Sequence, residues 1–162
     1  MRVSDYIFRT LADWGLRQAF LVTGGGAMHL NDALGREPRI QWLCNLHEQA
    51  CAIAAEAYAR TAGIPAVVCV TSGPGGTNAV TGVTGAWLDS IPMIVLSGQI
   101  KTETMLSTYP ELKLRQLGDQ EINIVDMVRP VTKYAVEVKD PQTIRRHLER
   151  ACYLAMTGRP GP

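Results

Sequence analysis

AVVCVTSGPGGTN, residues 66–78, joins an unbroken apolar run to a glycine-rich turn. Ala66 to Thr71 is small or β-branched with no polar alternation, the composition of a strand covered on both faces. Ser72 to Gly76 turns the chain, and small residues then carry a helix to about Trp87. A strand buried on both sides that feeds straight into a helix is the unit of a parallel sheet, because parallel neighbours need a crossover of a dozen residues or more.

Working outward, the same alternation recurs. Upstream, Ala50, Ile53, Ala54, Ala57 and Tyr58 repeat at helical spacing within 47–61, and Gly63-Ile64-Pro65 closes that helix. Strands are expected at 19–23, ending in Gly24-Gly25-Gly26, and at 40–44. Ser4 is placed to cap a first helix through about Trp14, and a short helix covers 27–34. Downstream, 92–97 reads as another apolar strand and 100–119 has no pattern. A short helix at 122–128 precedes a strand at 132–138, and Asp140-Pro141 opens a last helix to Met156. The expected fold is α/β: a doubly wound parallel sheet of about five or six strands with helices on both faces, formed by residues 1–162 as one domain.

Composition excludes several classes. The formal net charge of +1 gives no electrostatic hold on nucleic acid or an anionic membrane. No apolar run reaches the roughly 18–20 residues of a membrane helix, and Asp5 and Arg9 interrupt any signal-peptide pattern. A cytoplasmic protein is expected. Cys44, Cys51, Cys69 and Cys152 form no C-x-x-C pair and all lie in apolar contexts, so reduced thiols filling core space are expected.

Ligands of doubly wound sheets gather at the carboxyl ends of the strands, and three segments fall there. Asn45 to Ala50 puts Glu48 in a first helical turn, where the helix dipole favours a carboxylate by about 0.3–1 kcal/mol. The segment is not a zincin motif, since Cys51 stands where the second histidine belongs. Thr71 to Asn78 lets backbone approach a flat or anionic ligand closely, yet matches neither a P-loop nor a full G-x-G-x-x-G. Gly24 to Gly26 is costly in chain entropy unless backbone clearance is needed. Each segment alone also fits a structural role: an ordinary helix acid, a tight turn, a strand-to-helix corner.

Together they resemble a known family. Gly24-Gly25-Gly26, HEQACAIAAEAYAR (47–60), TSGPGGTNAVTG (71–82), DSIPMIVLSGQ (89–99) and the closing TGRPGP occur in the order found in the N-terminal domain of thiamine-diphosphate enzymes. The pattern is nearest to the large subunit of acetolactate synthase. That resemblance implies that Glu48 is the catalytic acid, hydrogen-bonded to N1′ of the cofactor's aminopyrimidine. It implies that Pro74 and Asn78 line the pyrimidine pocket, that Gly24 and Gly25 form the loop near the reacting carbonyl, and that Gln99 faces the cofactor. Gln120, in the family's Q-E pair, is implied on the substrate side. Leu46, Ala50, Ala52 and Ile53 are expected to keep the site dry.

The resemblance further implies thiamine diphosphate as cofactor and a 2-oxo acid such as pyruvate as substrate, with a second carbonyl compound or a proton trapping the product. It implies Mg²⁺ and the diphosphate held by a separate domain, with no metal ligand in this chain, and FAD possible in a full-length enzyme. A homodimer or tetramer is implied, with this chain a fragment of a longer polypeptide or a free-standing small subunit, inactive on its own. Thr23 replaces the tyrosine-proline pair usual before the paired glycines, Asp119 replaces an aromatic residue, and 101–121 is longer and more charged than usual. These departures fall on the substrate side and leave Glu48 untouched, so another thiamine-diphosphate decarboxylase or carboligase is the alternative. A nucleotide-binding domain, or a non-catalytic assembly domain that keeps the fold, is the alternative of a different class.

Overall fold

The computed structural model describes all 162 residues. Four strands, β1 (Gln18–Leu21), β2 (Gln41–Cys44), β3 (Ala66–Val70) and β4 (Met93–Ser97), form one parallel sheet in the order β2-β1-β3-β4. Six helices accompany them: α1 (Val3–Asp13), α2 (Met28–Gly35), α3 (Glu48–Ala62), α4 (Pro74–Leu88), α5 (Ile124–Val128) and α6 (Ile144–Met156).

The unbroken apolar run of β3 is explained by its place in the middle of the sheet. Val67 and Cys69 point to one core, with Phe8 and Leu11 of α1, Leu34 of α2 and Leu148 of α6. Ala66, Val68 and Val70 point to the other, with Cys51 and Ala55 of α3 and Ala79, Val83 and Ala86 of α4. Successive strand residues alternate faces, so a strand with helices on both sides needs apolar side chains at every position. All five β3 residues are fully buried.

α3 and α4 pack closely because their contact residues are small. A Cβ on Gly82 would lie 2.5 Å from that of Ala52, so only glycine permits this approach. At the ends, Gly63 takes a left-handed conformation (φ 71°) and stops α3, as its place in the sequence suggests.

Three expectations are corrected. The sheet has four strands, not five or six: residues 132–138 join no ladder. Their polar groups are satisfied elsewhere. The Lys133 backbone N–H donates to the Pro162 carbonyl (2.7 Å), the Tyr134 hydroxyl meets His147 Nδ1 of α6 (2.6 Å), and the Arg150 guanidinium lies 4.9 Å from the Tyr134 ring centre. Ser4 is not the cap of α1. Arg2 takes that position, exchanging hydrogen bonds with Asp5, while Ser4 Oγ is buried without a partner. Cys51 and Cys69 are core thiols and Cys152 is half-buried, but Cys44 is exposed because β2 is an edge strand exposed along its length. Burial pushes the Cys51 thiol up to about 11 and those of Cys69 and Cys152 up to about 12.

Residues 99–123 contain three short 3₁₀ turns at 102–104, 106–108 and 110–112, and neither α-helix nor strand. The Glu121 carboxylate holds this segment together, accepting from the backbone N–H groups of Leu106 (2.7 Å), Leu117 and Gly118 (both 3.3 Å). No helix is long and apolar enough to cross a membrane.

Candidate cofactor site

β2 and β3 each deliver one helix start to the carboxyl edge of the sheet. His47 caps α3, its ring Nδ1 accepting from the Gln49 backbone N–H (3.1 Å), which leaves Glu48 as the first helical residue. Glu48 is only 8% exposed. At the other helix start, Gly73 (φ 54°) is in the left-handed region, and Pro74 supplies a first-turn residue that has no N–H to satisfy. A side chain on Gly73 would collide with the Gln120 carbonyl.

The two helix starts meet through one hydrogen bond. Asn78 Nδ2, one turn into α4, donates to Glu48 Oε2 at 3.0 Å. The other oxygen, Oε1, lies beside Gly75, where an added Cβ would come within 3.5 Å of it and 2.6 Å of Thr71 Cγ2. The first glycine loop reaches the same turn. The Gly26 N–H donates to Thr71 Oγ1 (3.0 Å), a Cβ on Gly24 would lie 2.5 Å from Thr71 Cβ, and one on Gly26 would lie 2.5 Å from Ser72 Oγ. Clearance therefore explains Gly24, Gly26 and Gly75, whereas Gly25 faces open space.

Gly24 and Gly75 thus meet at Thr71, and Glu48, bonded to Asn78, lies beside Gly75. Pro74 and Gln120 meet in a neighbouring cleft of about 210 Å³, lined also by Gly73, Thr77, Glu121 and Ile122. Gln120 holds its place with a left-handed backbone (φ 56°), unusual for a residue other than glycine. Gln99 leaves β4, the outer strand farthest from β2, and both ends of its amide are engaged: Nε2 donates to Glu137 (2.7 Å) and Oε1 accepts from the Ile100 N–H (2.9 Å). Of the four neighbours expected to keep the site dry, only one is buried. Ala52 is buried, but Leu46 is fully exposed, and Ala50 and Ile53 are also exposed.

Sequence reasoning passed over Thr71, whose hydroxyl and methyl organise both glycine turns, and Glu121 and Glu137, which anchor the segments bearing Gln120 and Gln99. Thr71 had one visible signal, as the first hydroxyl after a wholly apolar strand and just before a glycine turn. Glu121 was visible only as the second member of the Q-E pair, with no role read for it, and Glu137 had no signal. No cluster of three or more His, Cys, Asp or Glu side chains gathers in a metal-holding arrangement.

The site is thus a buried carboxyl group with one oxygen held by an amide and the other beside a glycine turn that a Cβ would crowd. The family described as "Thiamine pyrophosphate enzyme, N-terminal TPP binding domain" matches residues 1–127. The chain belongs to that family. It is 41% identical over 159 residues to the acetolactate synthase isozyme 3 large subunit of Escherichia coli, a match covering 98% of this chain and 26% of that protein. The acetolactate synthase large subunit of Lactococcus lactis is 39% identical over the same length, with the same coverage. The chloroplastic acetolactate synthase of Arabidopsis thaliana is 37% identical, covering 98% of this chain and 22% of that one. The chain spans about a quarter of the length of the curated relatives it matches.

Proposed function

We propose that this chain is the pyrimidine-binding domain, residues 1–162, of a longer thiamine-diphosphate-dependent enzyme of the acetolactate synthase type. The observation that carries this reading is the buried Glu48 carboxyl group, with Oε1 directed at the Gly75 turn and making no hydrogen bond within the chain. When bound, thiamine diphosphate supplies the nucleophilic carbon that adds to a 2-oxo acid and the electron sink that lets carbon dioxide leave. Glu48 Oε1 would hold or release the proton at N1′ of a bound aminopyrimidine, the acid–base role proposed for this chain. Gly24 and Gly75 keep side chains away from the ring face, and Pro74 and Asn78 wall the pocket, while the Gln99 amide is held by Glu137 and the Ile100 N–H. Gln120 and the cleft it shares with Pro74 face the substrate.

Mg²⁺ and the diphosphate are proposed to be held by another domain of the full-length enzyme. FAD, if the full-length enzyme uses it, lies outside this domain too. A second copy of the chain is the partner proposed for the Glu48 side, giving a homodimer or a tetramer built from it. The exposed apolar residues Trp42, Leu43, Leu46 and Ile53 support this, since water-facing apolar side chains in such a group mark contact surfaces. The cytoplasm is the proposed compartment, consistent with four unpaired cysteines. In the full-length enzyme, Glu48→Gln is expected to lower carbon dioxide release from pyruvate by about 10²–10⁴-fold. Turnover close to that of the unaltered enzyme would refute the reading.

A further inference from the structure

We propose that Asn78 is the positioning residue for Glu48: its amide holds Oε2, so that Oε1 alone is presented to the aminopyrimidine. The proposal rests on the reading of Glu48 given above. Three observations lead to it. The Asn78 Nδ2 to Glu48 Oε2 bond, at 3.0 Å, is the only side-chain hydrogen bond to that carboxyl group. Its polar neighbours are committed elsewhere: the His47 ring caps α3 at the Gln49 N–H, and the Cys51 thiol lies 3.6 Å from Asn45 Oδ1. The two helices that carry the pair cannot slide past each other, because Gly82 sits against Ala52 and Gly85 within 3.3 Å of Glu56 Oε2, counted from an added Cβ.

The chemistry of the bond suits a relay. A carboxyl oxygen accepts the Asn78 N–H whether or not the other oxygen carries a proton, so the anchor survives each transfer. An unanchored glutamate would sample rotamers that point either oxygen, or neither, at the ring, and a misplacement of about 1 Å costs roughly 10²-fold in rate. The competing role for Asn78 is that of a pocket wall alone. A wall touches the cofactor and acts on affinity. A positioning residue acts through Glu48.

The test is a double-mutant cycle in the full-length enzyme with Asn78→Ala, Glu48→Gln and the pair combined. Asn78→Ala is expected to lower kcat about 10²-fold. Calorimetric thiamine diphosphate binding should weaken by less than about tenfold. In the Glu48→Gln background the same change should alter kcat by no more than about twofold, since nothing remains to be positioned. Asn78→Asp is isosteric and keeps the fold, but sets two carboxyl groups side by side, so that one proton is shared between them. Proton uptake on cofactor binding, followed in buffers of different ionisation enthalpy, should then shift to higher pH. The proposal is overturned if Asn78→Ala leaves kcat unchanged, if its effect persists undiminished in the Glu48→Gln background, or if cofactor affinity falls as much as kcat. A Glu48→Gln enzyme with full turnover overturns the reading of the site itself, which is a separate outcome.

Discussion

Residues 45–82 and residues 99–123 both border the carboxyl edge of the sheet, yet they are built in opposite ways. In the first region the bonded pair sits on regular elements that pack closely: Glu48 opens α3, Asn78 lies one turn into α4, and glycine contacts hold the two helices together. In the second region three 3₁₀ turns are tied by one carboxylate, Glu121, to three backbone N–H groups, and most side chains face water. The difference teaches a division of labour. Under the proposed function, proton transfer at Glu48 needs atoms placed to within a fraction of an ångström, which rigid elements provide, whereas the segment proposed to face the substrate can be a loop whose shape rests on a few replaceable bonds.

The comparison breaks most visibly at Glu48. Glu48→Gln should abolish nearly all turnover while leaving thermal unfolding within a few degrees of the original, because only a proton acceptor is lost. A larger unfolding shift would mean that the carboxyl group is structural. Gly82→Val tests whether rigidity between α3 and α4 matters. Its added side chain meets Ala52 Cβ and the Ile53 backbone, and overpacking of this kind costs about 1–3 kcal/mol, measured by denaturant unfolding. Activity should fall further than stability, because the Asn78–Glu48 bond depends on that crossing.

Glu121→Gln sharpens the contrast from the other side. It keeps the shape but removes the charge behind three hydrogen bonds, so limited proteolysis within 101–118 should quicken while cofactor affinity stays the same. Equal loss of cofactor binding would show that the two regions are not separable.

The smallest effect concerns the buried thiols. Cys69, pushed up to about 12 by burial, stays protonated in the fold but ionises near its ordinary value of 9 when unfolded. Its contribution to stability is therefore complete below about pH 9 and is lost as pH climbs through about 12. Unfolding titrations of Cys69→Ala should show a shallower alkaline limb. Over the same range Cys44, on the exposed edge strand, should be the thiol that reacts first with a disulfide reagent.

Much of this was legible in residue order. The alternation of apolar runs with helical periodicity predicts all four strands and the helices of the finished fold, since both patterns are local. The strand expected at 132–138 failed for a nonlocal reason: its residues suit a strand, but a strand exists only with a neighbour, and the Lys133 N–H finds the Pro162 carbonyl instead. The exposure of Cys44 failed likewise, because an apolar four-residue run does not announce whether it lies at the edge or the centre of a sheet. The roles of Glu121 and Glu137 were invisible because a carboxylate's partners are backbone amides or side chains elsewhere in the chain.

By itself the sequence determined that a parallel α/β sheet forms, that Glu48 opens a helix at its carboxyl edge, and that glycines crowd the turns beside it. Those properties follow from propensity and periodicity over a few residues. Only the tertiary structure decided that Asn78, thirty residues away, donates to Oε2 and leaves Oε1 free, and that Thr71 joins both glycine turns. Such pairings depend on how closely two helices cross, which is set by packing across the whole core.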